Sequence, residues 1–184
     1  METSLAWLGR MTTAPNGPDW RRLVDAYSPL LHGWLVRAGV PASDRDDLVQ
    51  EVLMVVVRKV NDFEHRGTGA FRAWLRGILA NHIRKFFRER PTGPAIDLDQ
   101  LAAKDSVLSR IWDRDHDEHL AARAIRAVEG DFAPATWAAF RRQVFDGCKP
   151  ADVAVELGLS LNSVLLARSR VLKRLRKELH GLVE

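Results

Sequence analysis

Apolar side chains recur every three or four residues in the first half of the chain, which is the spacing of amphipathic α-helices. One such segment covers residues 20–38, where Pro29 is expected to kink or divide the helix. A second covers residues 43–59. It opens with Ser43 as N-cap and has Asp46 three positions later, as in a capping box. The spacing therefore predicts two long helices over this stretch.

A third helical segment follows a loop over residues 61–69, begins at Thr68 or Gly69, and runs to residue 90. The apolar residues of this segment repeat at helical spacing, which favours their burial in a hydrophobic core. This holds above all for Phe71, Trp74, Leu75 and Ile78. The stripe consists of Phe71, Trp74, Leu75, Ile78, Leu79, Ile83 and Phe86.

The second half of the chain opens with a break, the sequence Pro-Thr-Gly-Pro at 91–94. Residues 91–111 show weak periodicity and mixed charge, which is typical of a linker. Helical spacing resumes over residues 111–127. Pro134, at an N1-like position, is expected to start a further helix that ends near Phe145.

Residues 150–177 have the spacing of a helix-turn-helix. Ala154 is a small residue where two helices cross, Gly158 suits a turn at positive φ, and Val164 is a β-branched anchor for the second helix. Ser160 is the expected N-cap of that helix. A helix with a cationic end is suited to DNA. The basic residues are Arg168, Arg170, Lys173, Arg174, Arg176 and Lys177.

These patterns predict an all-α protein made of two small helical domains joined by a flexible linker, the C-terminal one a helix-turn-helix. The domains are expected at residues 19–90 and 112–184, with the linker at 91–111. Residues 1–18 are interpreted as a flexible leader. No strand alternation occurs along the 184 residues, and 46% hydrophobic content is sufficient for real cores.

Charge is placed unevenly, although the net charge is only +4. Acidic residues gather at 44–51 and basic ones at 84–90 and 168–177, which points to charged partners. Cys148 is the only cysteine, so the chain cannot form an internal disulfide, and a reducing cytoplasm fits. No signal peptide is recognisable and no membrane insertion is expected, since a span needs about 20 apolar residues.

Three segments together resemble bacterial RNA polymerase sigma factors of the extracytoplasmic-function (ECF) group. Residues 46–52, Asp-Asp-Leu-Val-Gln-Glu-Val, resemble the core-binding helix of that family. Residues 63–75 resemble the segment that opens the promoter −10 element, and residues 81–90 resemble the end of the helix that contacts it. The similarity covers roughly residues 18–90 and 115–178.

The resemblance implies that residues 19–90 are sigma region 2 and residues 112–184 are sigma region 4. The implied function is to direct core RNA polymerase to promoters and to help open the −10 element, without enzyme activity, cofactor or metal. The implied partners are promoter DNA and the β′ clamp helices and β flap of the polymerase. The resemblance also implies an anti-sigma factor as a possible further partner.

Region 2 would contribute two sets of site residues. Asp47, Gln50 and Glu51 would dock on the polymerase, where the acids pair with arginines. The −10 element would be held by stacking on an aromatic side chain, by a pocket for flipped bases and by phosphate contacts. The residues implied are Asn61, Phe63, Arg66, Thr68, Asn81, Arg84, Lys85 and Arg88.

Region 4 would read the −35 element through Asn162, Ser163, Leu166, Arg168, Arg170 and Arg174. Asn suits adenine, and the first two arginines suit guanine or phosphate, whereas Arg174 suits a backbone contact or a solvated charge. The chain departs from the family just after Val164, where Leu165, Leu166 and Ala167 replace the frequent Lys, Ser and Arg. The two leucines either pack within the domain or contact thymine methyl groups.

Two other functions remain open from the sequence. A dimeric helix-turn-helix regulator would use the first domain as a sensor or dimerisation module. A metal-dependent nuclease or recombinase would use the acidic cluster of Asp44, Asp46, Asp47 and Glu51, because carboxylates bind hard cations.

Overall fold

The computed structural model describes residues 17–63, 69–88 and 90–179, and every regular element within these ranges is helical. The all-α prediction is therefore confirmed. The chain divides after Leu120 into two compact units, and we call the described residues 17–120 unit 1 and 121–179 unit 2. The helices are α1 (Pro18–Arg37), α2 (Ala42–Lys59), α3 (Ala70–Phe87), α4 (Leu98–Ala102), α5 (Val107–Glu129), α6 (Pro134–Val144), α7 (Pro150–Leu157) and α8 (Leu161–Leu179).

Helix α1 continues through Pro29, so the predicted division does not occur. Pro29 lies on the solvent side of the helix, whereas Leu30 and Leu31 directly after it are buried. Burial of the apolar face on both sides of the proline offsets the one backbone hydrogen bond that a proline ring removes.

The starts of α2 and α3 differ from the predictions by one or two residues. Helix α2 begins at Ala42 after Pro41, without a side-chain cap. Ser43 lies inside the first turn, where its hydroxyl donates to Asp44 Oδ2 at 3.0 Å, so its assignment as N-cap was wrong. Helix α3 begins after Gly69, whose φ of 81° suits glycine.

The linker predicted over residues 91–111 contains ordered structure. The Ala95 N–H donates to the Ala38 carbonyl at 2.9 Å, which holds this stretch against the end of α1. Asp97 caps α4 by accepting from two backbone N–H groups, and Leu101 of α4 is fully buried. A helix of five residues is too short to show a period, so the sequence pattern did not reveal it.

The first half of α5 completes the core of unit 1. Trp112 is fully buried, its ring lies 5.5 Å from that of Trp34, and its Nε1–H donates to the Arg72 carbonyl at 3.1 Å. Arg72 in turn donates to both oxygens of Asp117 at 3.1 Å. Arg76, 4% exposed, lies 3.4 Å from Asp113. Apolar packing and partly buried ion pairs thus join α5 to α1 and α3.

His116 is buried within the same network. Its Nδ1–H donates to Asp117 Oδ1 at 3.1 Å, and the Tyr27 hydroxyl lies 3.4 Å from its Nε2, which accepts from it. Burial holds the pKa of His116 below its ordinary value, although the hydrogen bond to Asp117 opposes the shift. The imidazole is therefore neutral in the folded protein near pH 7.

Stability is expected to fall as the pH drops below about 6.5, the ordinary histidine pKa. In that range the unfolded chain binds a proton at His116 that the folded chain does not, until the lower folded-state pKa is reached. The slope is at most about 1.4 kcal/mol per pH unit for this one group. Urea unfolding of the wild type and His116→Gln between pH 5 and 8 measures it. The difference between the two proteins should depend on pH only below about 6.5, and a constant difference would contradict a neutral His116.

Unit 2 is built on two clusters of buried side chains from α5, α6, α7 and α8. One consists of Val128, Trp137, Phe140 and Val171, and the other of Ala139, Val153, Val164 and Ala167. An ion pair also joins α6 to α7, with Arg142 Nη2 and Glu156 Oε2 2.8 Å apart. Helix α6 begins at Pro134, as predicted, and ends one residue before Phe145.

Helices α7 and α8 meet at a bend of 108°, within the range of about 90–120° that helix-turn-helix units use. Gly158 between them has φ 63°. The Ser163 N–H donates to Ser160 Oγ at 3.1 Å, as expected for an N-cap. Val164 is fully buried, and Ala154 packs against its cluster. These positions are compatible with the predicted helix-turn-helix, which stays a prediction.

Gly158→Val is expected to destabilise unit 2 by about 1–3 kcal/mol, since a branched residue strains a backbone at positive φ. Nothing lies within 4 Å of an added Cβ, so strain and not a clash causes the loss. Gly158→Asn should lose less, because asparagine tolerates this conformation. Gly130→Val is the matched control, since Gly130 also has open space around it but no positive φ. Equal thermal stability of the two valine variants would contradict the assigned turn.

No single helix in the described ranges is long and apolar enough to cross a membrane. Only α7 and α8 taken together reach the necessary length and composition, and they are bent by 108°.

Candidate functional site

Helix α2 presents a polar face made of Asp47, Gln50 and Glu51. The three residues are spaced i, i+3 and i+4, so they lie on one side of the helix, and all three are exposed. The buried Leu48 and Val52 hold the opposite side of α2 in the core. None of the three polar side chains makes a hydrogen bond or ion pair to any described residue. The face is therefore available to a partner.

An open groove of about 500 Å³ adjoins this polar face, between α1 and α2 of unit 1. Gln50 belongs to both features, and Met54 at the groove is 46% exposed. The remaining lining residues are Trp20, Val24, Ser28, Asp46, Val49 and Leu53. An apolar groove beside acidic and amide groups suits a partner helix that carries both apolar and basic side chains.

The acids at the start of α2 have separate partners. Asp44 Oδ1 accepts from Arg90 Nη2 at 3.2 Å, and Asp46 Oδ1 lies 4.0 Å from His32 Nε2. Across residues 17–63, 69–88 and 90–179, no group of three or more His, Cys, Asp or Glu side chains is placed to hold a metal ion.

The loop before α3 and the start of α3 carry an aromatic cluster. The Phe63 ring lies 4.9 Å from that of Trp74 and 5.9 Å from that of Phe71, and both Phe63 and Trp74 are half-buried. Trp74 is thus less buried than its helical spacing predicts. Asn61 is exposed in a short 3₁₀ turn, Val60–Asp62. The cluster leaves ring surface open for stacking. Two predicted −10 contacts, Arg66 and Thr68, lie outside the described residues.

The C-terminal half of α3 presents Asn81, Arg84, Lys85 and Arg88, all exposed. Arg84 donates to Asn81 Oδ1 at 2.9 Å and to Asp99 Oδ1 at 2.8 Å. Asp99 comes from α4, and its role was not visible in the sequence because α4 was not predicted. Nearby, the Arg90 guanidinium lies 3.4 Å above the Phe86 ring.

A smaller cavity of about 220 Å³ lies between the end of α3 and α2. Its lining includes residues from the polar face of α2 and from the basic end of α3. The lining residues are Leu48, Glu51, His82, Lys85, Phe86, Arg88 and Arg90. Arg90, which was not among the predicted site residues, thus contributes to this surface.

Unit 2 exposes most of the residues predicted for the −35 element. Asn162, Leu166, Arg168 and Arg170 are exposed on α8. Ser163 is also exposed, although its hydroxyl lies 2.8 Å from Ser160 Oγ and so belongs to the cap.

Arg174 differs from these because it is paired within unit 2. Its Nε donates to Asp131 Oδ2 at 2.7 Å and its Nη1 donates to Glu178 Oε2 at 2.9 Å. The hydrogen bond to Glu178, together with Asp131, raises the pKa of Arg174, while partial burial opposes the shift. The guanidinium is thus held against the start of the α5–α6 loop and its own helix. Arg174 is therefore less available to DNA than Arg168 and Arg170, which have no such pairs with described residues.

The two leucines after Val164 are exposed, Leu165 by 47% and Leu166 by 41%. Nearly half of each side chain is therefore open to a partner, while the rest is covered within unit 2. Ala167, by contrast, is buried in the core of unit 2.

Comparison with known proteins supports the resemblance. Residues 23–91 match the family model for sigma-70 region 2. The ECF RNA polymerase sigma factor SigE of Mycolicibacterium smegmatis is 27% identical over 158 residues, which are 84% of this chain and 58% of that relative. The chain thus spans a little over half the length of this relative. The similarity to ECF sigma factors that the sequence predicts is confirmed.

Proposed function

We propose that this chain, which is similar to sigma-70 region 2 and to an ECF sigma factor, directs core RNA polymerase to specific promoters and helps to open the −10 element. The observation that carries the proposal is the match of residues 23–91 to sigma-70 region 2. The tight turn at Gly158 between α7 and α8, as the predicted helix-turn-helix needs, supports it. Binding differences drive such a function, so it needs neither an enzyme activity nor a cofactor. The place of action is the bacterial cytoplasm.

Unit 1 would dock on the polymerase through the polar face of α2. Asp47 and Glu51 would pair with arginines on the β′ clamp helices, while Gln50 donates and accepts between them. Apolar side chains of the same partner would enter the groove beside Met54. An anti-sigma factor would act by covering this same surface.

The −10 element would lie along α3. Bases freed from the duplex would stack on the cluster of Phe63 and Trp74 and be read by Asn61, Arg66, Thr68 and Asn81. Basic residues at the end of the helix would hold phosphates. These are Arg84, Lys85 and Arg88.

Arg84 must exchange a partner when phosphate arrives, because Asp99 holds it in the free protein. Both side chains are largely solvent-accessible, and exposed ion pairs contribute about 0–1 kcal/mol. Because the pair with Asp99 contributes so little, its exchange for a DNA phosphate costs little.

Unit 2 would hold the −35 element through α8 and would also meet the β flap. Asn162, Ser163, Leu166, Arg168 and Arg170 are the residues proposed for DNA. Since the affinity comes largely from phosphate contacts, it should fall steeply with salt.

Gel filtration of the purified full chain with purified bacterial core polymerase tests the proposal. A sigma factor elutes with the polymerase as a stoichiometric complex and binds promoter DNA weakly on its own. A helix-turn-helix regulator would instead elute as a dimer, ignore the polymerase and bind its operator alone. The second outcome would overturn the proposal.

A further inference from the structure

The exposed face of α8 is defined by its helical geometry. Val164, Ala167 and Val171, spaced i, i+3 and i+7, are buried in unit 2. Asn162, Leu165, Leu166 and Ser169, spaced i, i+3, i+4 and i+7, lie on the opposite side and are all exposed. We call these four residues the outer face of α8. A helix that docks in a groove presents this face to the groove floor.

The outer face is apolar at its centre, although the helix as a whole is cationic. Leu165 and Leu166 occupy adjacent positions there and are 47% and 41% exposed. From residue 161 to residue 177 the helix carries six basic side chains and no acid. A helix of this charge suits a polyanion, so its partner must combine dense negative charge with an apolar group that two leucines can contact.

Only one base edge in DNA meets that requirement. In the major groove the bases present hydrogen-bond donors and acceptors, and the single apolar group among them is the 5-methyl group of thymine. Building on the function proposed above, we propose that Leu165 and Leu166 select thymines in the −35 element by contact with their methyl groups. The specificity at these positions would thus come from apolar contact and not from hydrogen bonds.

The two arginines beside the outer face have a different role. Arg168 and Arg170 are two residues apart, so they are rotated by about 200° about the helix axis and lie on opposite sides of the outer face. Both are exposed, and neither pairs with a described residue. From these flanks each guanidinium meets one of the two phosphate backbones that border the groove. Of the two roles that the sequence left open for them, phosphate contact is the one this geometry supports.

The experiment uses promoters obtained with the polymerase holoenzyme, formed from core enzyme and the full chain, by in vitro transcription on genomic fragments. If no fragment gives a transcript, the proposed function fails and the inference fails with it. Once a promoter is in hand, each thymine of its −35 element is replaced by deoxyuridine, which removes the methyl group and keeps the base pair. Holoenzyme affinity is then measured for each template.

We expect a three- to five-fold loss of affinity, roughly the value of burying one methyl group, at one or two thymines. Leu165→Ala and Leu166→Ala should each bind the thymine and uracil templates equally at the position that the replaced leucine contacts, since that contact is already lost. Val155→Ala is the matched control, because Val155 is 86% exposed on α7 and lies off the outer face. It should keep the full response to uracil.

Arg168→Ala and Arg170→Ala should lower the affinity for thymine and uracil templates by the same factor. Each variant should also reduce the salt dependence of the affinity by the equivalent of about one phosphate contact. Two results would overturn the inference while leaving the proposed function intact. One is transcription with no response to uracil at any −35 position. The other is a response that survives unchanged in both leucine variants.

Discussion

Replacing Trp112 with alanine is expected to lower the free energy of unfolding by about 3–5 kcal/mol. The side chain is fully buried, packs on Trp34 and donates a hydrogen bond to the Arg72 carbonyl. Its loss leaves a large cavity between α5, α1 and α3, and it also leaves a buried carbonyl without its donor. Chemical denaturation followed by circular dichroism measures the change.

Two further variants show which interaction is responsible. Trp112→Phe keeps most of the apolar volume and removes the indole N–H, so it should lose less, on the order of 1–3 kcal/mol. Val107→Ala, in the first turn of the same helix, alters a side chain that is 64% exposed and should change stability by less than about 0.5 kcal/mol. If Trp112→Ala is as stable as Val107→Ala, the first half of α5 does not belong to the core of unit 1.

The second large effect concerns the polar face of α2. Gln50→Ala combined with Glu51→Ala should lower the affinity for core polymerase about 30-fold or more, because truncating one side of a desolvated charge pair costs about 2–5 kcal/mol. Both side chains are exposed in the free protein, so the fold should keep its stability within about 0.5 kcal/mol. Titration of fluorescently labelled chain with core enzyme gives the affinity.

Gln100→Ala combined with Glu118→Ala is the matched control for this experiment. It removes the same two residue types from exposed positions of unit 1, on α4 and α5. The control should bind core polymerase like the wild type. Equal affinity of all three proteins would show that the polar face of α2 does not dock on the polymerase.

Local signals in the sequence were sufficient to predict most helices and the turn between α7 and α8. Helix α2 ends at Lys59 and α6 begins at Pro134, as apolar spacing and proline placement predict. Ser160 and Gly158 act through neighbouring backbone atoms, so their roles can be predicted without knowledge of the fold. Ser43 was misassigned as the N-cap because α2 starts two residues earlier than expected, directly after Pro41.

Interactions between distant residues could not be predicted in this way. Asp113 and Asp117 neutralise Arg72 and Arg76, which lie 37 to 45 residues earlier. These ion pairs allow the charged first half of α5 to pack in the core of unit 1. Because of its charged residues, this half of the helix lacks the apolar stripe expected of a buried helix. For this reason the sequence pattern did not reveal that α5 begins at Val107, within the predicted linker.

In the candidate site, too, local features could be predicted from the sequence, whereas contacts between distant residues could not. The exposure of Asp47, Gln50 and Glu51 follows from helical spacing alone. The partners of Arg84 and Arg174, by contrast, are Asp99 and Asp131, at separations of 15 and 43 residues. Charge patterning identifies a basic residue, but only the tertiary structure shows whether its charge is already paired.

Promoter-specific transcription by the reconstituted holoenzyme tests the central claim most directly. Core polymerase is incubated with genomic fragments, with and without the purified chain, and the 5′ ends of the transcripts are mapped. The account predicts discrete start sites that require the chain and that share sequence elements near −10 and −35. Identical transcripts with and without the chain, under conditions in which another sigma factor supports initiation with the same core enzyme, would contradict it.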